Sequence, residues 1–93
     1  MYELQTRTER IADDLGVVIF PSDNPKYKLD LYDHRGRFMF RLGDSRYSDY
    51  PTYLKTHGKK FADNRRRLYM LRHHKEIEKD GTRGWWAWRL LWN

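Results

Sequence analysis

From Lys26 to Asp33, and again from Arg37 to Leu42, large apolar residues recur at every second position. A period of two puts Tyr27, Leu29 and Leu31 on one face of a strand, with Lys26, Lys28 and Asp30 on the other. The second run sets Phe38, Phe40 and Leu42 inward and Arg37, Met39 and Arg41 outward. Between them Asp33-His34-Arg35-Gly36 reads as a turn in which Gly36 can supply a positive φ. An antiparallel hairpin over about 26–42 is therefore the strongest local constraint in the chain. With the helical segments around it, it favours an α+β fold over a helix bundle.

The flanking segments supply the other elements. Thr6-Arg7-Thr8-Glu9 has the spacing of a capping box, with Thr6 as N-cap and Glu9 three residues on. Leu4, Ile11 and Leu15 follow at helical spacing with Ala12 beside them, and Gly16 is a stop signal, which predicts a helix over about 6–15. Val17-Val18-Ile19-Phe20 is β-branched and apolar, a short buried strand closed by Pro21. Residues 45–49 form a turn, and Pro51 suits the first turn of a helix that starts near Asp49 or Tyr50 and ends by Gly58. The longest helix runs from Lys59 to about Lys79, with Phe61, Leu68 and Leu71 sharing one side. In the last nine residues Trp85, Trp88 and Trp92 fall at helical spacing in a segment apolar nearly all round, which must be buried on several sides. The expected architecture is one domain: a small antiparallel sheet (the hairpin plus a strand near 17–20) packed with three to four helices, the Trp-rich end completing the core.

Mean hydropathy is −1.05 and 34% of residues are charged, values that alone lean towards disorder. Four Trp, seven Tyr and four Phe argue the other way, because aromatic rings bury large areas each. With no cysteine there is no disulfide, thiolate metal site or thiol redox chemistry. The longest apolar run is far short of a membrane span, and the first residues lack the order of a signal peptide. The expectation is a soluble protein that is not secreted.

The net charge of +6 is unevenly spread. Residues 1–25 carry −3, whereas residues 45–75 hold nine basic and two acidic residues, +7 on their own. Such a stretch points to an acidic partner, either nucleic acid or an acidic protein surface. Lys59, Lys60, Arg65, Arg66, Arg67 and Arg72 are the expected phosphate contacts, with Arg46 and His73 assisting. Tyr47, Tyr50, Tyr53 and Tyr69 are interleaved for stacking or hydroxyl contacts. Consecutive arginines are turned by ~100° from one another on a helix, so Arg65, Arg66 and Arg67 cannot all face one phosphate, and at least one is expected to pack its stem along the core edge. The bland alternative is a solvated helix face, partly paired with the acidic N-terminal segment. Trp85, Trp86, Trp88 and Trp92 are candidates for a protein interface as well as for the core.

Other chemistry finds little support. His73 and His74 are adjacent and cannot share one site from a helix, and no third ligand is marked by spacing, so no metal is expected. No Gly-Lys-Ser/Thr phosphate loop occurs, and Ser22, Ser45 and Ser48 sit in no nucleophile elbow. No cofactor and no catalytic activity are expected.

Three segments taken together carry a resemblance: Gly43-Asp44-Ser45-Arg46-Tyr47-Ser48-Asp49-Tyr50, then Arg65-Arg66-Arg67-Leu68-Tyr69-Met70-Leu71-Arg72-His73, then Gly84-Trp85-Trp86-Ala87-Trp88-Arg89-Leu90-Leu91-Trp92. With Arg10-Ile11-Ala12-Asp13-Asp14-Leu15-Gly16-Val17, the chain resembles a family of small basic proteins of unknown function. That family occurs in large DNA viruses of algae and protists and in tailed phages. The likeness covers most of residues 10–93 and implies a viral origin, a place in the virion or the infected-cell interior, and no active-site residue. The function expected is a non-enzymatic nucleic-acid (polyanion) binding module. The alternative is a minor capsid or cement protein held between larger coat proteins, with capsid proteins then among its partners.

Overall fold

The computed structural model describes residues 2–93, in the order α1 (Thr6–Leu15), β1 (Val18–Pro21), β2 (Tyr27–Tyr32), β3 (Phe38–Asp44), α2 (Tyr50–His57), α3 (Lys59–Ile77) and α4 (Arg83–Leu91). Three antiparallel strands with four helices make this an α+β fold. The chain divides into two compact units, Met1–Tyr47 and Ser48–Asn93.

In the first unit β2 is the middle strand, pairing with β1 and β3. Ile19 lies opposite Leu31, Leu29 opposite Leu42 and Leu31 opposite Phe40, so these side chains share one face. Leu29, Leu31 and Leu42 are fully buried there, joined by Val17 and by Ala12 of α1, which packs beside β1. The turn forms as predicted: Gly36 has φ 80°, and Asp33 Oδ1 accepts from the backbone N–H of Arg35 and of Arg37.

Three expectations fail on this sheet. Residues 17–20 are not a buried strand closed by Pro21: Val18 and Phe20 point to the exposed face, alternating with buried Ile19, and Pro21 is itself the last strand residue, opposite Leu29. The pairing slips between Leu31 and Tyr32, so that Leu31 faces Phe40 but Tyr32 faces Phe38. Successive residues of a strand point to opposite faces, and a bulge of this kind throws Phe38 onto the Tyr32 side. Phe38 is 53% exposed, not core. Its ring meets Tyr32 edge-on at 5.7 Å, Tyr32 meets Phe20 at 5.8 Å, and Arg41 lies over Phe38. Lys28 and Asp30, expected on an outer solvated face, are buried instead, Asp30 beside Arg41 (3.4 Å) and Lys28 over the Tyr2 ring. The capping box also fails. Gln5 takes the extended N-cap conformation and its carbonyl accepts from Glu9, so Thr6 is already helical and caps nothing.

In the second unit the local signals hold. Asp49 caps α2, its Oδ1 accepting from Thr52 N–H at 3.0 Å, with Pro51 in the first turn. Thr82 caps α4 through Trp85 N–H. Along α3 the apolar residues form no stripe: Leu68 is half-buried, but Phe61 and Leu71 are exposed, and Ala62 is the buried residue. Trp86, Leu90 and Leu91 of α4 are buried, as a segment apolar on several sides requires.

Candidate nucleic-acid interface

Residues 1–47 hold eight basic and eight acidic residues, so the whole +6 belongs to residues 48–93. What the basic residues of α3 can do depends on where the helix turns them.

One side of α3 meets a layer of rings from α2 and α4. Tyr69 stacks on Trp92 (4.3 Å between centroids, 15° between planes) and on Trp88 (6.1 Å, 13°), and His73 lies against Tyr69 at 4.4 Å. Burial of Tyr69 raises its phenol pKa. Arg65 and Arg66 are turned into this layer. The Arg66 guanidinium sits 5.3 Å from the Tyr50 ring and 5.2 Å from that of Trp88, and donates to Asn93 Oδ1 at 3.1 Å. Arg65 lies 5.7 Å over Tyr53. Both side chains are half-buried, their planar charged ends laid on aromatic faces where a hydrophobic residue would otherwise be expected.

Other predicted contacts are engaged in ion pairs. Lys59 Nζ donates to Asp63 Oδ2 at 2.6 Å while Asp63 Oδ1 accepts from the Tyr50 hydroxyl, also at 2.6 Å. These bonds hold the Asp63 carboxyl below its ordinary range and lift the Lys59 ammonium above its own. Arg46, at the end of the first unit, clasps Asp44, with Nη2 to Oδ2 at 2.7 Å, and its bonds bring the Asp44 carboxyl down to about 2. His73 lies 3.4 Å from Glu76.

The remaining basic residues of α3 are different. Lys60, Arg67 and Arg72 are exposed, and so is Lys75, which the sequence reading did not single out. None of the four forms an ion pair with a described residue; Arg67 donates only to the neutral Asn64 at 3.2 Å. At ~100° per residue Lys60 and Arg67 are nearly aligned and Lys75 is turned by about 60–80° from them, whereas Arg72, seven residues after Arg65, lies in line with that half-buried arginine at the edge of the ring layer and is exposed. The row covers about 22 Å at ~1.5 Å per residue. Lys75 is discoverable from sequence as the basic residue eight positions past Arg67, close to two helical turns on.

No family model, curated protein or solved structure matches the chain. The site must be judged on its own geometry. No helix is long and apolar enough to cross a membrane, and no group of three His, Asp or Glu among the described residues can hold a metal ion. Of the interface-candidate tryptophans Trp86 is buried, at 8% exposed; Trp85, which meets it edge-on at 4.8 Å and lies under Arg89, and Trp88 and Trp92, stacked on Tyr69, are each half-buried. Of the four interleaved tyrosines, Tyr50 is buried and Tyr53 and Tyr69 belong to the ring layer. Tyr47 is exposed beneath Arg46.

Proposed function

We propose that this protein is a non-enzymatic binding module for nucleic acid, with α3 as the helix that lies along the phosphates. The observation that supports this is the sorting of cations on α3. Arg65, Arg66 and Lys59 are engaged within the second unit, while Lys60, Arg67, Arg72 and Lys75 are exposed without an acidic partner. A row of unpaired cations releases counterions when it neutralises phosphates, and the number released sets how steeply affinity falls with salt.

Fluorescence anisotropy on a labelled 20-bp duplex between low and moderate salt tests the reading. Four contacts give a slope of log K against log salt near −3.6. A variant with Lys60, Arg67, Arg72 and Lys75 all replaced by Gln flattens that slope, whereas Arg65→Gln leaves it unchanged. Absence of binding in low salt, or a slope the fourfold variant does not alter, removes the proposal.

A second reading, a minor virion component held between larger coat proteins, is supported by a separate observation. Val18, Phe20 and Phe38 leave an apolar part of the sheet uncovered next to Arg41, and aromatic side chains with arginine are the composition of interface anchors. Mass spectrometry of purified particles then finds the chain in fixed proportion to the coat protein; trace amounts or none count against it.

A further inference from the structure

Where α2 passes into α3, two rings lie on the surface. His57 and Phe61 are stacked with centroids 4.4 Å apart and planes 19° from parallel. Tyr53 backs them, tilted at 5.3 Å from Phe61 and 5.8 Å from His57. Both are exposed, Phe61 at 41%. The imidazole is held in place by a 2.6 Å contact between His57 Nδ1 and Thr56 Oγ1. Gly58, between the two helices, has open space where a side chain would project. Lys60 adjoins Phe61 at the start of the cation row, and Arg65 lies over the Tyr53 ring behind it.

Resting on the reading of α3 as a nucleic-acid helix, we infer that the strand it takes is single, with one base stacked on the Phe61–His57 pair. The argument is one of matching chemistry. A cation row alone serves any polyanion. An exposed aromatic pair backed by Tyr53 beside that row adds affinity only for a polyanion that also offers flat π-faces. In a duplex those faces are covered by neighbouring bases, so the ring gains nothing. An acidic peptide carries charge and no such faces. The positive charge of the second unit complements the phosphates, and the ring pair complements the bases.

The test compares three probes by anisotropy in low salt: a single-stranded dT12, a 12-bp duplex and a poly-glutamate peptide of equal charge to the single strand. The wild-type chain is expected to bind dT12 more tightly than the duplex and far more tightly than the peptide. Phe61→Ala lowers dT12 affinity by about tenfold, the worth of one base–aromatic stack, and moves duplex affinity less than twofold. Phe61→Leu keeps an apolar side chain against His57, melts with the wild-type chain, and loses the single-strand preference in the same way. Phe61→Trp retains it. If dT12 binds no better than the duplex or the peptide, or if Phe61→Ala weakens all probes alike or none, the stacking site is wrong while the cation row stands. If no nucleic acid binds in low salt, both fail together.

Discussion

Leu31→Ala is expected to destabilise the protein by about 2–5 kcal/mol, the range for emptying a fully buried leucine site. Leu31 is 0% exposed on the middle strand, with Ile19 opposite it on β1 and Phe40 opposite it on β3. The cavity therefore opens on the buried face of the sheet between the Ile19 and Phe40 side chains, whose strands are held at their spacing by the ladder hydrogen bonds and cannot close on it. A chain of this size has only about 5–14 kcal/mol of net stability, so the loss is a large share of the total. Urea or thermal melts measure it, with Tm falling by roughly 4–8 °C per kcal/mol. The companion variant Phe38→Ala decides whether the bulge is real. With Phe38 on the exposed face it loses one edge-on ring contact and costs less than about 1.5 kcal/mol. Equal losses for the two variants would put Phe38 back in the core and remove the slipped register.

Gly84→Ala gives the second large effect, and two principles oppose each other there. Gly84 lies in the first turn of α4, where alanine is the better helix former by up to about 1 kcal/mol. Against that, a Cβ at position 84 would stand 2.5 Å from Cβ of Glu76 and 3.3 Å from its backbone carbonyl carbon. Those atoms belong to α3 itself, not to the far end of a flexible side chain, so the two helices must move apart. Overpacking of this kind costs about 1–3 kcal/mol, which outweighs the propensity gain. The separation would also disturb the stacking of Tyr69 on Trp88 and Trp92, so the near-UV circular dichroism of the aromatic bands is expected to weaken along with Tm. A variant as stable as the parent, with unchanged aromatic bands, would mean that α3 and α4 do not approach this closely.

Signals confined to a few neighbouring residues could be read from the sequence. The alternation about Asp33–Gly36, the Asp49 cap with Pro51 behind it, and the start of α3 after Gly58 are each local, and the structure has all three. What could not be read depends on partners distant in the chain. The slip at Leu31/Tyr32 is a property of two strands together, and one residue of slip is enough to turn Phe38 outward. Arg65 and Arg66 escaped for another reason. Hydrophobic periodicity counts an arginine as a solvent residue, yet a guanidinium lies flat on Tyr50, Tyr53 and Trp88 once those rings are brought to it. With two arginines taking inner positions, Phe61 and Leu71 are left on the surface. The sequence thus shows that at least one arginine of the 65–67 run must pack against the core, but not that Arg65 and Arg66 are the ones that lie on the rings.

The distribution of charge between the two units has a colloidal consequence. The uncovered apolar part of the sheet, Val18, Phe20 and Phe38, lies in the half of the chain whose charges cancel, so that half has no net repulsion of its own to keep copies apart. Dispersal rests on the +6 carried by residues 48–93, and replacing Lys60, Arg67, Arg72 and Lys75 with glutamine would leave only +2. The same side chains that would meet a polyanion are therefore the ones that keep the unbound protein in solution, and salt that screens the first role weakens the second with it.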